Sequence, residues 1–186
     1  HRLKKLVNVL EPRLLDYGSG FGKWARAAVQ VGFKVTAYEP SVERGLEQCK
    51  IGFTLVHDMN DLKSHCFDVI NLEQVLEHVP YPIVLLKELH GYCKADTLVR
   101  INVPNVLRCP EGNKIWSEWP YNGTNVHTMA PFEHLQGFTP KSLRIAAIRA
   151  EFKPANSLRI WLKYPKEMIR SYVGKFFPKL GQTSLL

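Results

Sequence analysis

The stretch that most constrains this chain is Arg13-Leu14-Leu15-Asp16-Tyr17-Gly18-Ser19-Gly20-Phe21-Gly22-Lys23-Trp24. Arg13 to Tyr17 reads as a short buried strand. Gly18, Gly20 and Gly22 then make a loop in which a side chain would block close backbone approach or forbid a positive φ. From Phe21 onward Trp24, Ala25, Ala28 and Val29 recur at three- and four-residue spacing. That spacing predicts a helix to about Val31, with Gly32 as its stop. Strand, glycine loop and helix in succession open a nucleotide-binding βαβ unit. The loop reads GxGxG, not the GxGxxG of dinucleotide sites, and Asp16 stands two residues before its first glycine. A carboxylate there suits a cationic ligand better than a pyrophosphate.

D-x-G-x-G-x-G in this context resembles motif I of the class I S-adenosylmethionine-dependent methyltransferases. The resemblance implies that Gly18, Ser19, Gly20 and Gly22 pass close to the methionine part of the cofactor and that Asp16 contacts it. Phe33 to Tyr38 is rich in β-forming residues and leads to Glu39-Pro40. An acid at the end of a second strand accepts both ribose hydroxyls. Phe53 to Val56 reads as a third strand. The family holds the adenine edge just after it, which places Asp58 and Met59 there, although Asp58 also suits the cap of a turn.

Phe67 to Leu72 is the expected fourth strand. Asn71-Leu72-Glu73-Gln74-Val75-Leu76-Glu77-His78-Val79 resembles a segment of many small-molecule methyltransferases and brings Leu72 and Glu73 to the cofactor pocket. Thr97 to Val103 is the expected fifth strand, and its V-P-N ending resembles the same group. Glu133-His134-Leu135-Gln136-Gly137-Phe138-Thr139-Pro140-Lys141-Ser142-Leu143 resembles the E/D-H-x-x-x-F-S/T-P-x-S-L segment of a branch that modifies sugars and other small molecules. That branch has a glycine before its next strand, where this chain has Glu151, which puts the turn there in question. The implied fold is α/β, a Rossmann-like class I methyltransferase fold. Its sheet has seven strands, mostly parallel and flanked by helices, with the last strand, from Thr183, cut short. The resemblance covers residues 3–160.

The rest of the pattern fills in around this frame. Leu3, Leu6, Val7 and Leu10 are helically spaced ahead of Pro12. Ser41 is a candidate N-cap for a helix to about Lys50, and Tyr81-Pro82 opens another. Lys94-Ala95-Asp96 reads as a turn. Thr139-Pro140 predicts an N-cap with proline in the first helical turn, the helix running to about Ala150. Phe152 to Leu162 contains the expected sixth strand, and 163–182 reads as a helical connection. Residues 106–137 are irregular and hold Trp116, Trp119, Tyr121 and His127; in this family such an insert forms the acceptor-binding lid. The expectation is one methyltransferase domain over 1–186.

With 186 residues, 45% hydrophobic and 23% charged, the chain supports one domain with a proper core. No run reaches the roughly 18 apolar residues of a membrane span. No signal peptide is recognisable, and the lack of an initiator Met suggests a trimmed chain. The four cysteines form no CxxC pair, so reduced thiols and a cytoplasmic location are expected. The net charge of +8 is concentrated toward both ends, as solvated faces would be. No stable nucleic acid partner is expected, because basic and aromatic residues do not interleave on one face. The oligomeric state is unspecified.

S-adenosylmethionine is therefore the expected cofactor, with S-adenosylhomocysteine as product, and a small molecule the expected methyl acceptor. The residues leave O-methylation of a sugar or a polyprenyl or aromatic intermediate beside N-methylation. A NAD-dependent oxidoreductase or a non-catalytic nucleotide- or RNA-binding module would share parts of the pattern. A hydroxyl acceptor calls for a general base, and His78, His134 and His127 are the candidates. In some ubiquinone-pathway O-methyltransferases the segment after strand four supplies two acids and a histidine to a divalent ion. Glu77 and His78 match here, but Gln74 stands at the other acid position, so no metal is expected.

Overall fold

The computed structural model describes residues 2–7, 9–46, 52–62, 66–108, 133–155 and 182–185. The chain divides into two compact units, His1–Glu73 with Glu88–Ile101, and Gln74–Lys87 with Asn102–Leu185.

The first unit opens with α1 (Arg2–Leu6), β1 (Arg13–Tyr17), α2 (Lys23–Gln30) and β2 (Lys34–Tyr38). It continues with α3 (Val42–Leu46), β3 (Thr54–Val56), a one-turn 3₁₀ helix (Met59–Leu62) and β4 (Phe67–Glu73). Helix α4 (Pro82–His90) and strand β5 (Cys93–Pro104) belong to both stretches of chain, and α5 (Pro140–Arg149) and β6 (Gln182–Leu185) lie in the second. The strand order is β3-β2-β1-β4-β5-β6. β1 pairs in parallel with both β2 and β4, and β2 with β3. From β1 the chain runs outward to β2 and β3, then returns to β4 on the other side. The reversal between β1 and β4 is the point at which open α/β sheets bind ligands.

One face of this sheet explains the position of α2. Side chains alternate along a strand, so Leu14 and Asp16, Val35 and Ala37, and Val69, Asn71 and Glu73 share a face. The first member of each set packs with Ala37 beneath Ala25 and Ala28 of α2 and Leu3 of α1, with Leu98 of β5 against the same cluster. The apolar spacing read in Ala25 and Ala28 is the stripe that this contact buries. Gly32, at φ +89, ends the helix as expected.

Several boundaries differ from the sequence expectation. α1 ends at Leu6, leaving Leu10 92% exposed instead of helical. Lys94–Asp96 is strand, not turn, because β5 starts at Cys93. Lys94 Nζ reaches the Asp68 carboxylate at 2.8 Å, and the Thr97 hydroxyl donates to the Phe67 carbonyl at 2.6 Å. These ties to β4 outweigh the local turn chemistry. Helix α3 is described to Leu46, and residues 47–50 lie outside the described set. So do 109–132, which hold most of the expected lid, and 156–181, which hold most of the expected sixth strand and the helical connection. Residues 152–155 are irregular.

In the second unit, Thr139 caps α5 as expected: its side chain accepts from the Ser142 amide, and Ser142 Oγ accepts from the Thr139 amide. Glu151 has φ +69, so it adopts the left-handed conformation that a glycine would supply. The turn is kept without the glycine. No helix among the described residues is long and apolar enough to cross a membrane.

Candidate functional site

The glycine loop is held from two sides. Both the Gly18 and the Ser19 amides donate to the Tyr38 carbonyl, at 2.9 and 3.0 Å, and the Gly22 amide donates to the Ser19 carbonyl at 2.8 Å. Gly18, Gly20 and Gly22 have φ of 70°, 55° and 69°. All three therefore sit where glycine is favoured. A Cβ built on Gly20 meets nothing within 4 Å, so the loop presents bare backbone to open space. Glu39, 4% exposed, accepts the Gly20 amide on Oε2 at 2.8 Å and the Ser41 amide on Oε1 at 3.0 Å. Its carboxylate shapes the loop, and each oxygen retains capacity for a further donor. Pro40, beside it, is exposed.

Asp16 lies opposite Asn71 in the β1–β4 register. It is 1% exposed, and its Oδ1 accepts from Asn71 Nδ2 at 2.8 Å. Oδ2 finds no donor at hydrogen-bond geometry among the described residues, although the Ala25 amide is near enough to favour the charge. Burial pushes the Asp16 carboxyl up to about 6. The Asn71 hydrogen bond, the Ala25 amide and Arg100 oppose that rise, while Glu73 adds to it. A buried carboxylate with one oxygen unserved fits a cationic group of a ligand. Together with the open space over Gly20, it is a cradle suited to an amino-acid-bearing nucleoside such as S-adenosylmethionine.

The other expected cofactor residues are placed unevenly. Glu73 forms an ion pair with Arg100. Leu72 is fully buried. Asp58 Oδ1 accepts from both the backbone and the side-chain nitrogen of Asn60, each at 2.8 Å, and so caps the 3₁₀ turn that begins at Met59. The Met59 carbonyl accepts from the Tyr92 hydroxyl at 3.3 Å.

The second unit gathers the two described histidine candidates. His78 stands in a one-turn 3₁₀ helix, Leu76–His78, and its Nδ1 lies 2.8 Å from the Glu133 carbonyl. A carbonyl only accepts, so Nδ1 carries the proton and Nε2 is the basic nitrogen. The His134 ring meets His78 edge-on at a centroid distance of 4.8 Å. The Leu135 and Gln136 amides both donate to the Glu77 carbonyl, at 2.7 and 3.0 Å, which joins the two segments. Glu77, His78 and His134 each offer a ligand atom, all within 4.8 Å of one another. One carboxylate and two imidazoles form a donor set that suits zinc or a similar borderline cation. Gln74, four residues before His78, has φ +56, and its buried Nε2 has no hydrogen-bond partner among the described residues. His127 lies outside the described residues.

Asn71 and Arg100 were not singled out from the sequence, and Trp24 was read only as part of the apolar stripe of α2, whereas it is 37% exposed and its ring lies against the Arg100 guanidinium. The signal for Asn71 and Arg100 was available in the face parity. Asn71 lies on the same face as Val69, and Arg100 as Leu98, each two residues nearer the C-terminal edge. Polar residues there replace the apolar ones beneath.

Fold and cradle together define the class: an α/β domain of the S-adenosylmethionine-dependent methyltransferase type. Residues 1–155 match the family described as "Methyltransferase domain", and the chain belongs to that family, whose cofactor is S-adenosylmethionine. It is similar to the ubiquinone biosynthesis O-methyltransferase of Neisseria meningitidis serogroup C, at 24% identity over 69% of this chain and 53% of that protein. The chain thus spans about half the length of the curated relatives it matches. A S-adenosylmethionine-dependent methyltransferase from Mesorhizobium loti has a TM-score of 0.63 at 16% identity, over 98% of this chain and 94% of that one. One from Archaeoglobus fulgidus has a TM-score of 0.61 at 16% identity, over 95% and 85%. At those identities the structural likenesses establish the fold.

Proposed function

We propose that the chain forms the catalytic part of a S-adenosylmethionine-dependent methyltransferase that O-methylates a small molecule, a sugar or a polyprenyl or aromatic intermediate. The observation that supports it most is the buried Asp16 carboxylate, whose Oδ2 finds no donor at hydrogen-bond geometry among the described residues, in the unit that also carries the open backbone at Gly20. When bound, the cofactor supplies a methyl group activated by its sulfonium. Asp16, Gly18, Ser19, Gly20 and Gly22 hold its methionine part, Glu39 and Pro40 its ribose side, and Asp58 and Met59 its adenine edge, with Leu72 and Glu73 walling the pocket. His78 Nε2 would accept the proton that the acceptor hydroxyl gives up on methylation. His134 shares that task, and His127 belongs to the acceptor lid of 106–137. The methyl acceptor is a free small molecule, and the protein works in the cytoplasm without a nucleic acid partner.

The test is isothermal titration with S-adenosylhomocysteine, with NAD in parallel, followed by methyl transfer to hydroxyl and amine acceptors. Micromolar binding of the first and none of NAD is expected. Gly20→Val should abolish that binding, because its Cβ enters the ligand's space and φ +55 strains any side chain. Normal affinity in this variant sinks the cradle. His78→Ala should lower kcat by about 10²-fold or more with hydroxyl acceptors, as loss of a general base does. Transfer to amines alone, indifferent to this substitution, would instead favour the N-methyltransferase reading.

The cluster of Glu77, His78 and His134 favours a second reading, in which these residues hold a divalent cation that polarises the acceptor oxygen. Loss of turnover after chelation, restored by zinc or magnesium, distinguishes it from histidine acting alone.

A further inference from the structure

We propose that Arg100 is a positioning residue for the cofactor: by holding the Asn71 amide in one orientation, it aims the unserved oxygen of Asp16 at the ligand's cationic group. The inference rests on the cofactor reading above and names a residue that reading does not use.

The geometry is a chain of three side chains. Arg100 Nη1 donates to Asn71 Oδ1 at 2.8 Å, and Asn71 Nδ2 donates to Asp16 Oδ1 at 2.8 Å. A guanidinium has no acceptor, so only the amide oxygen can face it. The amide nitrogen must then face Asp16. Without Arg100 the amide could turn over and accept a proton from a neutral Asp16, which would stabilise the uncharged acid. With Arg100 in place, Asn71 can serve only as a donor, which favours the carboxylate.

Arg100 is itself tightly placed. Its side chain is 14% exposed, it ion-pairs with Glu73, and its guanidinium lies 4.4 Å from the centre of the Trp24 ring. Trp24 is in the first turn of α2, directly after the glycine loop. Arg100 therefore joins β4 and β5 to the helix that the loop opens. An ion pair with Glu73 alone would explain neither the Asn71 contact nor the stacking. The charges also leave a remainder. Glu73 takes up the guanidinium charge, and Asp16 keeps its own for the ligand.

The groups facing Asp16 are Asn71 and Glu73 from β4, Arg100 from β5 and the Ala25 amide from α2. Removing the cation among them raises the pH at which Asp16 ionises. The experiment is titration of the full chain with S-adenosylhomocysteine between pH 5.5 and 9, for the parent, Arg100→Met, Asn71→Leu and the double variant. The parent's affinity should rise with pH through about 6 and then level off. Arg100→Met should have its rising limb displaced upward by about one pH unit, so that it binds about eightfold more weakly at pH 5.5, about twofold more weakly at pH 7 and nearly as well as the parent at pH 9. A purely structural role would give a loss of equal size at every pH, and that outcome overturns the proposal. Asn71→Leu should reproduce the displacement, and the double variant should be no weaker than the poorer single one by more than about twofold. Additive losses would mean that Arg100 does not act through Asn71, and would also overturn it. Should Arg100→Met not fold, Asn71→Leu decides the question: an unmoved limb removes the link. A parent that binds no S-adenosylhomocysteine defeats the cofactor reading itself, and this inference with it.

Discussion

Asp16 holds a position that favours binding over stability. Its ordinary value is 3.8, and burial, against the help of Asn71, moves it up to about 6 in the folded chain. Between those values the folded protein binds more protons than the unfolded one, so this group's contribution to stability falls as pH rises from about 4 to about 6. The cost at pH 7 is of the order of 3 kcal/mol by linkage. Asp16→Asn should remove it while leaving an acceptor for Asn71 Nδ2. The new amide nitrogen would be buried with no certain acceptor, which offsets part of the gain. A net stabilisation of about 1–2 kcal/mol at pH 7, turning into a net destabilisation of about 1 kcal/mol near pH 4, is expected from urea unfolding at the two pH values. The same variant should lose most of its affinity for S-adenosylhomocysteine. A variant that is both less stable and fully competent to bind would show that Asp16 is an ordinary core acid. The sequence pointed to Asp16 because glycines follow it at fixed spacing. It did not point to Asn71 or Arg100, because their importance depends on strand register and face, which spacing along one strand does not reveal.

Elements were legible where a local signal agreed with tertiary demand. The Thr139 cap with Pro140 starts α5 as read, since capping chemistry is local to four residues. Thr139→Ala should cost about 1 kcal/mol in thermal or urea unfolding. The other end of α5 shows the reverse case. Glu151 adopts φ +69 because the chain must turn there, and the backbone of an L-residue tolerates this at a cost of about 1 kcal/mol. Glu151→Gly should therefore stabilise the protein by about 0.5–1 kcal/mol despite glycine's larger unfolded-state entropy, and a loss of stability would mean that the Glu151 side chain makes a contact worth more than the strain. β5 was misread at its start for a different reason. Lys94-Ala95-Asp96 is turn-like in isolation, but Lys94 is drawn onto Asp68 of β4 and the strand extends through it. A contact 26 residues distant in sequence lay beyond any local reading.

On the scale of the whole chain, the two compact units are woven from interleaved stretches, with breaks at Glu73–Gln74, Lys87–Glu88 and Ile101–Asn102. The chemistry follows the same division. Asp16, Gly20, Glu39, Asn71, Glu73 and Arg100 belong to the first unit, and Glu77, His78 and His134 to the second. The motif after β4 changes unit within five residues, Glu73 lying in the first with its partner Arg100 and Glu77-His78 in the second. A single recognisable sequence segment therefore enters both units, and the sequence alone assigned it to one pocket edge. Lesions in the two sets should separate. His134→Ala and His78→Ala should leave S-adenosylhomocysteine affinity within about twofold of the parent, since the substituted groups belong to the other unit. Both should depress turnover. Asp16→Asn should do the opposite at saturating acceptor, weakening cofactor binding first. Cofactor affinity that falls in parallel with turnover in the histidine variants would show that the cluster supports the cradle instead of acting on the acceptor, and it would move His78 and His134 from general-base candidates to structural residues.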